Sequence, residues 1–379
     1  MANTITGLLP TLYEALDVVS REQVGFIPAV TLDAQAARGA VGQLVLSAVA
    51  PVATMGDVTP GTFPPDDGDQ VIGNVSLTIQ YAKYSPIRWT GEDVRGLNTG
   101  PGADAIRVNQ VAQSVRLLCN YIEGTVAAAA LAASRATGTA GTTPFATTVA
   151  DSANLRQILL DNGAPMGDLQ MVINTTAGAK MGALTQLTKA NEAATDSLLR
   201  QGILGNLHGF DIRQSAALQQ VAAGTGANYV LNNVAGYPVG ATTMAADVGT
   251  GTILAGDMVT IGSTDTNVYV VSAALAAGVF SIAAPGLRVA AADDATVTLV
   301  ATRNPNAGFA RSAIVLATRA PALPPEGDSA DDRSLITDPR SGLTFELALY
   351  KQYKRVKYEL AIAWGVANVK HEHSAILLG

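Results

Sequence analysis

The sequence predicts an α+β protein in which a small β-barrel is inserted into a mixed core. Three observations carry that reading. A single long helical pattern covers residues 103–135, and runs of alternating apolar and polar residues lie on either side of it. Composition also shifts over residues 222–305, which contain no lysine and only two basic residues, Arg288 and Arg303. The chain has 379 residues, enough for two or three domains. It is 48% hydrophobic but only 5% aromatic, with 37 glycines, so its core is built mostly from small side chains.

The first segment, PTLYEALDVVSREQV (10–24), places Leu12, Leu16 and Val19 on one side of a short amphipathic helix. Phe26–Leu32 and Gly42–Ala48 read as extended, so residues 1–41 resemble an arm with little core of its own. Residues 51–73, PVATMGDVTPGTFPPDDGDQVIG, form a long loop with four prolines and four glycines. In NVSLTIQYAKY, Val75, Leu77, Ile79 and Tyr81 alternate with polar residues, which predicts a half-buried strand that ends, bends or lies at an edge at Pro86. Residues 42–94 thus form a hairpin with an oversized tip. In the helix, Val108, Val111, Val115, Leu118, Ile122, Val126 and Ala129 recur at three- and four-residue steps, giving one apolar stripe. A connector leads through residue 148.

Residues 149–221 read as a mixed layer: a helix capped by Asp151 or Ser152, a buried strand LQMVIN, a second helix TTAGAKMGALTQL, and a strand LHGFDIRQS. Short apolar runs punctuated by glycine, Asp and Asn fill residues 222–305 and predict a small antiparallel barrel or sandwich. After it, GFARSAIVLATRA reads as a helix or strand leading into a second proline-rich, acidic loop, PALPPEGDSADD. In the closing stretch the alternation slips between Tyr350 and Lys354, which predicts a bulge or a bend between two strands.

Composition excludes several classes of function. No run of 18 apolar residues occurs, although mean hydropathy is +0.24, so no membrane helix is expected. The N-terminus lacks the basic region of a signal peptide. A net charge of −7 argues against a dedicated nucleic-acid binder. Cys119 is the single cysteine, so no disulfide forms within the chain, and synthesis in a reducing cytoplasm is expected. No phosphate-loop or nucleophile-elbow motif is present. His371 and His373 would share a face on a strand and could hold a metal, but KHEHSAILLG reads as an exposed C-terminal segment. His208 reads as a hydrogen-bonded structural residue on a strand, and Cys119 as a buried thiol. Asp66, Asp67 and Asp69 lack the spacing of a calcium loop, so no metal is assigned there, and no cofactor is assigned anywhere. Lys351, Lys354, Arg355 and Lys357 form the one basic concentration, either a phosphate patch or a salt-bridged strand edge.

The order of these elements resembles the major capsid protein of tailed bacteriophages, in the branch that carries an insertion domain. PTLYEALDVVSREQVGFIPAV resembles that family's N-terminal arm, and NVSLTIQYAKYSPIRWTGEDVRGL its return strand before the spine helix. LLRQGILGNLHGFDIRQS resembles the core segment ahead of the insertion. AGDMVTIGSTDTNVYVV and FSIAAPGL resemble insertion-domain strands, and DPRSGLTFELALYKQYKRVKYELAIAWGVANV the closing core strands. The likeness covers nearly the whole chain through the order of patterns; no one motif is diagnostic.

The resemblance implies the tailed-phage capsid fold. Its parts would be an N-terminal arm (1–41), an extension-loop hairpin (42–94, tip 51–73) and a peripheral domain (95–148) with spine helix 103–135. An axial domain would follow in two parts (149–221 and 306–379) around the insertion barrel (222–305). It further implies a non-enzymatic virion protein, assembled in the cytoplasm of a bacterial host into hexamers and pentamers of an icosahedral shell around a phage genome. Scaffolding, portal and decoration proteins would be further partners, with weak non-specific contact to packaged DNA and no membrane. The tip residues Thr59, Phe63, Asp66, Asp67 and Asp69 would touch another subunit, with Arg88 and Arg95 as candidate contact partners. The tip has no lysine, so the contact would be non-covalent. The competing readings are an encapsulin-like compartment shell and, more remotely, a metal- or serine-dependent hydrolase.

Overall fold

In the computed structural model, residues 24–49, 73–96, 103–188, 205–337 and 341–379 are described, with the isolated positions 55, 57 and 60. The expected helix at 10–24 and the loop tip fall almost wholly outside the described residues.

Phe26–Leu32 is not simply extended. Ile27–Ala29 makes a 3-10 turn with Phe26, Ile27, Ala29 and Val30 buried in the main core, and only then does β1 (Thr31–Gly39) begin. The sequence suggests an arm there because its few apolar residues have no local partners; residues far along the chain pack them instead. Next come β2 (Leu44–Val49), β3 (Gly73–Thr78) and β4 (Tyr81–Thr90). The break between strands lies at Ile79–Gln80 rather than at Pro86. Pro86 sits within β4 opposite Glu359, and β4 is an edge strand among the described strands, which is one of the placements expected at Pro86.

The short helix α1 (Gly91–Gly96) leads to α2 (Ala103–Ala130). At ~1.5 Å per residue α2 is about 42 Å long. It ends five residues before the expected limit, because Arg135–Thr137 is pulled into a sheet as β5. Then follow α3 (Ala150–Asp161), β6 (Leu169–Ile173), α4 (Thr175–Gly182), α5 (Thr185–Thr188), β7 (Asn206–Leu207) and β8 (Phe210–Gln214). Neither Asp151 nor Ser152 caps α3: Val149 holds that position, and the Asp151 carboxylate instead accepts from Phe145 N at 2.7 Å.

The inserted block contributes β9 (Tyr229–Leu231), β10 (Thr243–Asp247), β11 (Met258–Ile261), β12 (Val268–Ala276), β13 (Val279–Ile282) and β14 (Thr296–Leu299). The chain closes with β15 (Asn306–Ala310), β16 (Ile314–Pro321), β17 (Asp332–Thr337), β18 (Thr344–Gln352), β19 (Arg355–Asn368) and β20 (Ser374–Leu377). The undecided segment 308–320 is therefore strand on either side of a 3-10 turn at Arg311–Ala313, and the phase slip at 350–354 is the tight turn between β18 and β19.

These strands make two bodies and a barrel. In the first body, β1, β16, β19, β18 and β17 lie in that order, with β4 along the other edge of β19. Helix α2 packs on this sheet: Leu118, Ile122, Val126 and Ala130 are buried with Phe345, Leu360, Ile362 and Trp364. Burial of an Ile or Val such as Ile122 or Val126 contributes about 1.5–3 kcal/mol. Gly365 is required here, because a Cβ at that position would stand 2.1 Å from the Thr78 carbonyl oxygen.

In the second body, β5, β20, β15, β6, β8 and β7 line up against α3 and α4, with Leu155, Leu159, Met171, Ile173 and Phe210 in the core. A Cβ on Gly308 would lie 2.3 Å from Leu155 Cδ2, so glycine lets α3 approach the sheet. The C-terminal stretch, expected to be exposed, is the opposite: β20 is buried between β5 and β15. Residues 306–379 divide between the two bodies.

Each barrel strand pairs with two others in the ring β9–β10–β13–β12–β11–β14–β9, all antiparallel. Leu231, Met244, Val259, Ile261, Tyr269 and Phe280 fill its interior. Val221 and Arg303 exchange backbone hydrogen bonds of 2.9 and 3.1 Å, bringing the ends of the insertion together. The barrel also joins the second body through β12, which pairs with β5 at Val268↔Ala136 and Tyr269↔Arg135.

Candidate assembly surface

Three local arrangements matter here, two at the surface and one buried beneath it. The first is the β2–β3 ribbon, a two-stranded sheet of its own with register Leu44↔Thr78 to Val49↔Gly73. Opposed residues share a face, and the faces alternate. Leu77 and Ile79 are buried, whereas Leu44 and Leu46 on the other face are 56% and 62% exposed.

The second is an anchor. Glu123 is buried on α2, and its carboxylate accepts from Gly25 N and Phe26 N at 2.7 Å, Ile27 N at 3.0 Å and Ser215 Oγ at 2.7 Å. One carboxylate thus satisfies three backbone donors and a hydroxyl, tying the first described residues to α2 and to the end of β8.

The third is a groove of about 830 Å³ between α1, the end of β4 and the β18–β19 turn. Trp89, Val356 and Tyr358 supply its apolar lining, and Arg95, Lys351, Lys354 and Arg355 its positive charge; Glu92 is the one acidic lining residue. Local chemistry fixes both walls. Thr90 and Asp93 cap α1 reciprocally: Thr90 N donates to Asp93 Oδ2 at 3.1 Å and Asp93 N to Thr90 Oγ1 at 3.2 Å. Hydrogen bonding from the Thr90 side chain, then from its backbone, holds the Asp93 carboxyl below the usual carboxylate range, and Arg88 adds to the effect. The opposite wall is the two-residue turn Tyr353–Lys354, with Lys354 at φ +55°, closed by the Gln352↔Arg355 pair.

The contact residues expected from the sequence fall in different places. Thr59, Phe63, Asp66, Asp67 and Asp69 lie outside the described residues. Arg88 is exposed on β4 opposite Lys357, while Arg95 lines the groove with Lys351, Lys354 and Arg355. The basic run is partly salt-bridged: Lys351 pairs with Asp331, and Lys357 with Glu359 at 2.5 Å. Lys357 also lies over the rings of Tyr84 and Tyr350 at 5.1 and 5.5 Å.

The catalytic candidates behave as structural groups. His371 and His373 stand on a 3-10 turn, not on a strand, and His371 Nδ1 lies 2.6 Å from Ala132 O. Burial, with Lys370 adding and Glu372 opposing, lowers the His373 pKa. No group of three metal-binding side chains occurs among the described residues. His208 is hydrogen-bonded as expected, but it lies in the β7–β8 turn at φ +50°, not in a strand. Its partner is Ser152 Oγ at 2.8 Å, and Ser152 is fully buried and donates its proton to Val149 O at 2.8 Å. Ser152 is thus held by two partners inside the core and shows no open face to a substrate. Cys119 is buried, as expected.

Sequence reasoning missed Glu123, the groove and two buried polar groups. Arg303 is buried at the base of the barrel and donates through Nη2 to Gly256 O at 2.6 Å; burial lowers its pKa, with Asp257 opposing. The Tyr269 hydroxyl donates to Asp265 Oδ2 at 2.6 Å and accepts from Arg288 N at 2.8 Å, and burial pushes its pKa well above the usual phenol range. The Thr90-Gly91-Glu92-Asp93 stretch was the one readable signal, since it has the spacing of a helix N-cap.

No protein-family model matches the chain, and no curated protein matches it. Among solved structures it is similar over its full length to a chain described as Mycobacterium phage Che8, with 13% identity, a TM-score of 0.47 and 98% of that chain covered. It is likewise similar to a chain from the capsid structure of the cyanophage P-SCSP1u, with 12% identity, a TM-score of 0.49, and 100% and 92% of the two chains covered. A virus-like particle from Pyrococcus furiosus gives 11% identity, a TM-score of 0.43, and 97% and 98% coverage.

Proposed function

We propose that this chain is the major structural subunit of a phage capsid, a non-enzymatic protein that self-assembles into an icosahedral shell around a genome. The β2–β3 ribbon carries the reading. An isolated two-stranded ribbon is marginal in water, and this one leaves Leu44 and Leu46 on an uncovered face. A repeated contact between copies would cover that face, and head-to-tail contacts that close generate rings. Many such modest contacts sum to a stable shell.

In this reading residues 42–94 are the extension-loop hairpin and 95–148 the peripheral domain. Residues 149–221 and 306–379 supply the axial domain, and 222–305 form an outward insertion barrel. The subunit occurs in the virion after assembly in the host cytoplasm, with scaffolding, portal and decoration proteins as further partners. Negative-stain electron microscopy of the purified chain tests the reading: closed shells are expected. A discrete monomer with measurable turnover would overturn it, and shells filled with an enzyme instead of nucleic acid would redirect it to a compartment protein.

A further inference from the structure

Seven non-glycine residues among those described have positive φ. His208, Asn228 and Asp294 are of types that tolerate it. Lys354 makes a hairpin turn, and Phe145 is fully buried, so core packing offsets its cost. Val248 and Ala277 have neither excuse. Both are apolar and exposed, and they stand on adjoining turns of the barrel, where Ala246 N donates to Gly278 O at 2.8 Å.

Val248 is the sharper case. A β-branched residue at φ +62° is a backbone outlier. Gly249 N donates to Asp247 O at 2.6 Å, closing a three-residue turn around Val248 of the rare, strained kind. A Cβ on Gly249 would stand 2.2 Å from Cγ of Tyr229, so the chain is pressed against the barrel there and Val248 is turned out to 78% exposure. Burial within the described chain does not offset that strain. Strain of this sort collects where a side chain must be presented.

Beside this knob lies a hollow of about 510 Å³ over β9 and β14. Ala227, Val230, Thr296, Thr298 and Leu299 line it, and none of its lining residues is charged. Val230 pairs with Asp247 on one side and with Thr296 on the other, and Thr250 bridges to Ala227. The knob therefore stands one strand from the hollow, ~4.8 Å across the sheet.

We propose that two copies of this chain meet barrel to barrel about a two-fold axis, the Val248 turn of each entering the β9–β14 hollow of the other. A knob beside a hollow is self-complementary under a two-fold rotation, because each copy supplies both halves. Charge selects this face. At the barrel surface Asp247, Asp293 and Asp294 outnumber Arg288, so two barrels repel where their charged faces meet. Knob and hollow are uncharged, and Asp247 at the rim is held by Asn232 Nδ2 at 2.7 Å. The ring of strands is closed, so side chains on its outer face make the contact rather than an added strand. The contact goes beyond the shell reading and does not depend on it.

Sedimentation velocity of the full chain, below the concentration at which shells form, reads the contact, and hydrogen exchange locates it. A concentration-dependent dimer is expected, with slowed exchange at residues 226–230, 246–250 and 296–299. V248N removes the knob, and asparagine tolerates positive φ. The dimer should weaken roughly 100-fold, because a two-fold contact loses two buried valines at once, while the melting temperature holds or rises. T298K puts a charge into the hollow and should weaken the dimer about tenfold or more. Salt should tighten the wild-type dimer by screening the two Asp247 carboxylates from each other.

Four results overturn the proposal and leave the shell reading intact. They are a V248N or T298K chain that dimerises like wild type, a V248N chain that melts well below wild type because Val248 packs within the chain, a dimer that weakens with salt, and a wild type that stays monomeric up to shell formation. A Val248-dependent dimer from a chain that never forms shells supports the proposal and sinks the shell reading alone.

Discussion

The inserted barrel and the β2–β3 ribbon are both antiparallel, yet they solve the edge problem in opposite ways. The six barrel strands close on themselves and bury Leu231, Met244, Tyr269 and Phe280 within one chain. The ribbon leaves Leu44 and Leu46 exposed and pairs with no other described strand. A closed sheet has no free edge and needs no partner. An open ribbon defers part of its burial to whatever covers it. The described chain thus contains a sheet that is closed on itself and a ribbon that leaves one apolar face open.

Breaking the closed part should cost most. Phe280→Ala is expected to lose about 3–5 kcal/mol of barrel stability through cavity formation. Hydrogen exchange should show residues 229–299 losing protection while α2 keeps its own; loss in both would mean that the β5–β12 pairing makes barrel and core one unit. Glu123→Ala comes next. It removes the acceptor of three backbone N–H groups and Ser215, and a cost of about 1–3 kcal/mol for the donors left unsatisfied should lower the melting temperature.

The double change L44S/L46S sharpens the contrast from the other side. Monomer stability should shift by no more than about 0.5 kcal/mol, whereas shell formation seen by electron microscopy should fail. A stability loss as large as that of Phe280→Ala would show that the ribbon face is buried within the chain.

The smallest effect is titration at the C-terminal anchor. Burial disfavours protonated His373, so the unfolded chain binds the proton more readily once pH falls below about 6.5. Stability should therefore be flat above that value and decline as pH falls from it toward the lowered folded value. His373→Gln should flatten this slope in melts across pH 5–8, and an unchanged slope would assign it to other groups.

What was legible followed from local periodicity. Leu118, Ile122 and Val126 announced the buried stripe of α2, and the apolar runs of 222–305 announced a barrel. The charge of Lys354 and Arg355 was visible too. Their meeting with Arg95 and Trp89 was not, because the groove joins segments remote in sequence. His208 was misplaced on a strand because alternation carries no mark of the positive φ that turns the chain there. KHEHSAILLG read as exposed because a four-residue apolar run cannot announce the two strands that will flank it.

By itself the sequence determined the long helix, most of the strands, the small-residue core, the inserted block and the acidic, lysine-free loop, because each is a property of neighbouring residues. Only the tertiary structure decided that β20 is a central strand, that the barrel ring closes, that Glu123 holds the first described residues, and that cations and aromatics converge on one groove. Those outcomes depend on pairing between distant segments, where specificity comes from the register and burial of the partner strand rather than from the propensity of either stretch alone.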